Sequence, residues 1–146
     1  MASAVVAERA KTPITRTVQL AGILAAAHPA WERGKHPATK AFQAIRIFIN
    51  RELDDLEALL EQIIDTLKVG GRLVVISFHS LEDRRVKRFI RDQDQGIKLP
   101  KNLPIRDIDR AVRLIKVGKA VKPAGSEVDG NVRSRSAVMR IAERVA

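Results

Sequence analysis

GGRLVVISFHSLEDRRVKRFIR, residues 70–91, carries the clearest strand-to-helix pattern in the chain. Leu73-Val74-Val75-Ile76 is a short, unbroken apolar run rich in β-branched side chains. Entered through Gly70-Gly71, it reads as a strand buried on both faces, a central strand of a parallel sheet. The glycines suit the end of a preceding helix, where a left-handed residue is required. Beyond the strand, Ser80-Leu81-Glu82-Asp83 has the capping-box spacing and predicts a helix capped by Ser80. Val86, Phe89 and Ile90 then face the sheet, and Arg84, Arg85, Lys87, Arg88 and Arg91 lie outside.

Open α/β sheets bind ligands beyond the carboxyl ends of their strands, which is where Phe78, His79 and Ser80 stand. A lone His-Ser pair is a weak catalytic signal, and from spacing alone a tight, hydrogen-bonded turn accounts for it better.

Length and composition narrow the classes. The chain has 146 residues, enough for one domain with a core, and no cysteine, so disulfide and thiolate chemistry are excluded. His28, His36 and His79 lack the clustered spacing of a zinc site, and no metal is expected. No apolar stretch approaches a membrane span and the amino terminus lacks a signal-peptide core, so a soluble cytoplasmic protein is expected. The net charge is +10. Residues 70–146 hold 18 basic against 9 acidic residues, whereas residues 51–69 hold 2 against 6. That surplus points to a polyanionic partner. Five aromatic residues are too few for a base-stacking platform, so phosphate contacts by Arg and Lys are the better expectation.

From the start of the chain, residues 3–10 and 18–27 read as two short helices, the second capped by Thr15 or Thr17 and stopped at His28-Pro29. Residues 28–37 read as a loop. From Ala38 to Leu67, Ile45, Ile49, Leu53, Leu56, Leu60, Ile63 and Leu67 recur at helical spacing, as one long helix or two consecutive ones. Lys40 and Arg46 precede the acidic segment and are placed to meet a polyanion. Residues 92–110 read as a loop, and Ala111–Val121 and Ser136–Glu143 as an antiparallel strand pair. The turn residues from Lys122 to Asn131 lie between them. No Gly-rich strand-to-helix loop of the dinucleotide or P-loop kind occurs anywhere.

Three blocks resemble a known family. They are HPATKAFQAIRIFINREL (residues 36–53), GGRLVVISFHSLEDR (70–84) and NVRSRSAVMRIAER (131–144). Together with Lys11-Thr12-Pro13-Ile14-Thr15 they resemble the bacterial methyltransferases that modify N4 of a cytosine in 16S ribosomal RNA. One departure is Val132, where the family pattern usually has proline. The resemblance implies an α/β fold: the carboxyl-terminal part of a Rossmann-like class I methyltransferase, a parallel strand plus a terminal antiparallel strand pair. Residues 1–35 would be the remnant of a helical insertion, and 36–146 the second half of the methyltransferase domain.

The resemblance further implies S-adenosylmethionine as the full-length cofactor. Its binding loop has no counterpart here, so this chain alone is expected not to bind it. The implied partners are 16S rRNA in the small ribosomal subunit and an amino-terminal half, with self-association of the chain expected in its absence. His36, Lys40, Asn50, His79 and Ser80 carry over as lining of the substrate cleft, with the catalytic residues unassigned. Arg46, Arg84, Arg85, Arg88, Arg133 and Arg135 are candidates for RNA phosphate contacts. The competing expectation is a non-catalytic RNA- or ribosome-binding remnant.

Overall fold

The apolar stripe from Ala38 to Leu67 is divided between two helices. Arg51 takes a left-handed conformation, φ 53°, between α3 (Thr39–Asn50) and α4 (Glu52–Thr66). A computed structural model describes residues 1–28, 36–96 and 112–146. The expected loop between the second and third helices falls largely outside them, as does most of the expected loop after residue 92. The chain divides into two units, residues 1–52 and 53–146.

The first unit contains α1 (Ala2–Lys11), α2 (Thr17–Ala26) and α3. At the start of α2 the Gln19 carboxamide accepts from the Thr15 and Arg16 amides, each at 3.0 Å, so Gln19 rather than a threonine closes this end. Among the described residues, Leu24 and Ala38 are its buried apolar residues, a thin core. Ile45 and Ile49, expected inside, are exposed, and so is Phe48 at 84%. Helical period marks a face as apolar without saying whether anything covers it.

The second unit is organised by a three-stranded sheet in the order β1-β3-β2: β1 Arg72–Ser77, β2 Leu114–Lys116, β3 Val138–Arg144. β3 is antiparallel to both neighbours, pairing Leu73 with Ala142, Ile76 with Met139 and Leu114 with Arg144. β1 and β2 therefore run the same way without touching. The expected terminal antiparallel pair is present, but β2 is only three residues long, with an isolated bridge from Val121 to Met139. The segment expected to be only turn folds into a short helix, α6 (Gly125–Gly130), and a 3-10 helix, Val132–Ser136. Val132 opens the latter, a position where proline is equally at home.

β1 is not a central strand buried on both faces. Its hydrogen-bonded neighbour is antiparallel, and its other edge carries no strand among the described residues. Its burial alternates. Leu73 and Ser77 are buried, while Val74 and Ile76 are 52% and 55% exposed. The covered face meets α5 (Ser80–Gln95) and α4, and the core there is Ile64, Leu73, Val86, Ile90, Leu114 and Ala142. Val86 and Ile90 face the sheet as their helical spacing predicts. Phe89 packs against the same core.

Polar bonds close this layer. Gly70, at φ 79°, takes the left-handed turn after α4, and a Cβ on Gly71 would lie 2.7 Å from the Lys68 carbonyl. Gly70 N donates to the Arg144 carbonyl at 2.7 Å, tying that turn to β3. The Arg144 guanidinium donates to the Ile64 and Leu67 carbonyls, satisfying acceptors that the end of α4 leaves open. At the far edge of the sheet, the Lys116 amide donates to the Asp94 carboxylate at 3.2 Å and the Arg113 amide to the Gln93 carbonyl at 3.4 Å, both on α5. Among the described residues no helix is long and apolar enough to cross a membrane.

Candidate functional site

The carboxyl end of β1 turns into α5 through Phe78 and His79. His79, not Ser80, is the N-cap. It is extended, φ −140° and ψ 158°, and its Nδ1 accepts from the Glu82 amide at 3.3 Å. The Glu82 carboxylate reaches back to the Phe78 amide at 3.0 Å and the His79 amide at 3.3 Å. This is the capping-box exchange with imidazole in place of a hydroxyl, shifted one residue from expectation. An Nδ1 that accepts puts the neutral ring's proton on Nε2, which lies 3.3 Å from Glu82 Oε1. His79 is thus engaged in holding the turn, and its side chain is only 7% exposed. Ser80 and Phe78 point to solvent, Phe78 at 57%.

The remaining cleft candidates belong to the first unit. His36 Nδ1 accepts from the Ala38 amide at 3.2 Å in the turn that leads into α3. Lys40 and Asn50 stand at opposite ends of α3, about 15 Å apart along its axis. Asn50 Nδ2 donates to Glu52 Oε1 at 3.2 Å. His36, Lys40 and Asn50 therefore do not form one cluster.

The basic candidates differ in how free they are. Arg46 holds the Glu52 carboxylate through two nitrogens, at 3.0 and 3.1 Å. Arg85 is paired with Glu57 at 2.7 Å. Arg84 and Arg88 are exposed on α5, and Arg133 and Arg135 on the 3-10 helix, with no acidic partner among the described residues. Five further cations, Lys87, Arg91, Lys116, Lys119 and Arg140, gather around a cavity of about 230 Å³ between α5 and the turn after β2. Nothing in the local sequence marks Lys116 and Lys119 as neighbours of Lys87. Only the seating of β2 beside α5 joins them.

The comparisons with known proteins concern nearly the whole chain. Residues 1–145 match the model of the MraW methylase family. Over 146 residues the chain is 59% identical to the ribosomal RNA small subunit methyltransferase H of Marinomonas sp. (strain MWYL1), covering 100% of this chain and 47% of the relative. The protein of that name from Chromohalobacter salexigens is also 59% identical, with 99% of this chain and 44% of the relative covered. That from Legionella pneumophila (strain Paris) is 56% identical, with 100% and 47% covered. The chain thus spans a little under half the length of the curated relatives it matches. On a match that runs from the first residue to the last but one, the chain belongs to the MraW methylase family.

Proposed function

We propose that the chain is the carboxyl-terminal part of an S-adenosylmethionine-dependent methyltransferase acting on N4 of a cytosine in small-subunit ribosomal RNA, and that it is inactive by itself. The family match over residues 1–145 carries this reading. The relatives' names support an rRNA substrate. The cytosine amine rests on the resemblance of the blocks at residues 36–53, 70–84 and 131–144.

Among the described residues, the turn from β1 into α5 does not fit the cofactor. The turn from β1 into α5 has no glycine to admit a ribose or carboxylate to the backbone, and the amides of Phe78, His79 and Glu82 are already bonded within it. No chemical step is therefore assigned to this chain. An exocyclic amine is a weak nucleophile, and its placement supplies much of the rate. What this chain offers toward placement is the braced turn that ends in Phe78.

The test is nucleoside mass spectrometry of 16S rRNA from cells that lack their own enzyme of this kind. The chain alone leaves the cytosine unmethylated, and co-expression of the amino-terminal part of the Marinomonas relative restores the mark. Methylation by the chain alone would overturn its dependence on a second part. Absence of the mark in both cases would overturn the enzyme reading. Titration calorimetry with S-adenosylmethionine is expected to give no saturable heat, and a micromolar dissociation constant would refute the misfit of turn and cofactor.

The twofold excess of basic over acidic residues in 70–146 favours RNA binding under either reading. If about six phosphates are neutralised, the log–log salt slope of binding is roughly −4 to −5. Arg84→Gln with Arg88→Gln should lower that slope by about 1 for each phosphate no longer neutralised, whereas Arg85→Gln removes a cation already paired with Glu57 and should change it less. Equal effects would show that the ion pair does not hold Arg85 back.

A further inference from the structure

We infer that the groove between α5 and the turn after β2 seats a phosphodiester of structured RNA. The inference rests on the RNA-binding reading and gives it a place on the molecule. Lys87, Arg91 and Asp94 come from α5, Lys116 and Lys119 from β2 and its turn, and Arg140 from β3. Three of these six are committed. Arg140 holds Asp83 with two nitrogens, at 2.7 and 3.0 Å, Asp94 accepts the Lys116 amide, and Arg91 lies 2.7 Å from Asp92.

The other three, Lys87, Lys116 and Lys119, meet no acidic side chain among the described residues. Five cations line the cavity against one carboxylate, and that carboxylate is spent on a backbone amide. Lys87 and Arg91 stand four residues apart on one helix face, a like-charged pair that destabilises a helix unless an anion lies between. Gly118, at φ 67°, makes the tight turn that brings Lys119 back toward the cavity. Three lysines converging on an open cavity without acidic counterparts are what a phosphate ester neutralises, and the gain comes with release of its counterions.

The geometry also separates this groove from the arginines of α5 picked out by sequence. Arg85 and Arg88 line a separate hollow, beside Glu57 and Glu61 of α4. Lys87 and Arg91 flank the β2 side.

The test is anisotropy of a fluorescein-labelled 16S rRNA hairpin titrated with the chain across a salt series. Lys87→Gln with Lys119→Gln is compared with Lys68→Gln plus Lys122→Gln, exposed lysines outside the groove. The groove pair should lower the log–log slope by about 1, for the one phosphate the groove neutralises, and the control pair should leave it unchanged. Equal reductions from both pairs would reduce the effect to net charge and overturn the groove. A wild-type slope in the groove pair would do the same while leaving RNA binding standing, and a salt-independent wild type would instead sink the RNA reading itself. Calorimetry with inorganic pyrophosphate distinguishes the other source of the same chemistry. Saturable heat that the groove pair abolishes, with RNA binding untouched, would assign the groove to a free anion. All four residues are exposed, so folding is not at issue. The groove lies on the helix-covered face, so association through the bare face leaves it accessible.

Discussion

Sedimentation of the purified chain is expected to give concentration-dependent oligomers, not a monodisperse monomer. The cause is the uncovered side of the sheet. Val74, Ile76, Phe78, Ile115 and Val121 are each about half exposed there, and the neighbouring edge of β1 pairs with no strand among the described residues. Fully burying such a side chain stabilises by about 1.5–3 kcal/mol, so covering the exposed half of five of them gains several kcal/mol. An exposed apolar strand edge is itself a template for pairing with another chain. Val74→Lys combined with Ile76→Lys puts charge on that face without touching the core beneath, and should shift the distribution toward monomer. Supplying the amino-terminal part of a relative in trans should do the same. A wild-type monomer with a cooperative melt would overturn the prediction and favour an autonomous binding module.

The second large effect is expected at Arg140. Its guanidinium lies on the covered face of β3 and grips Asp83 in the first turn of α5, with the two side chains 18% and 22% exposed. Arg140→Ala leaves a carboxylate partly buried without its partner, at a cost of about 2–4 kcal/mol. For a unit of this size that lowers the melting temperature by roughly 10 °C or more. Arg72, which pairs with Glu143 at 3.0 Å and is 63% exposed, provides the contrast. Arg72→Ala should cost no more than about 1 kcal/mol. Indistinguishable melts for the two variants would mean that the Asp83 contact adds nothing beyond an exposed pair.

Parts of this were legible in the sequence because they depend on local rules. The spacing of Val86 and Ile90 fixes which side of α5 faces inward, and Gly70-Gly71 marks a turn that only a left-handed residue can make. The helix start after Phe78 was visible too, but its cap was misplaced. A hydroxyl is the commoner capping group, and the capacity of His79 Nδ1 to accept depends on a tautomer that sequence does not reveal. The covering of β1 was not legible. An apolar β-branched run records what a strand can bury, while its exposed face depends on segments outside the run. The same holds for Phe48 and Ile49 on α3. Among the candidate site residues, His36, Lys40 and Asn50 were adjacent in the sequence block yet occupy separate places on the first unit. The lysines of the groove were scattered in sequence and meet only through the seating of β2 beside α5.

The two edges of the sheet are unequal, and that asymmetry sets how far association can run. The amides of Arg113 and Lys116 are already bonded to α5, so among the described residues β1 is the edge strand with an unpaired side. A strand with one sticky side pairs with its own copy about a twofold axis, and the contact consumes the sticky side of both. Growth then terminates at the second copy along the ladder direction, where a sheet open at both edges would propagate as a fibre.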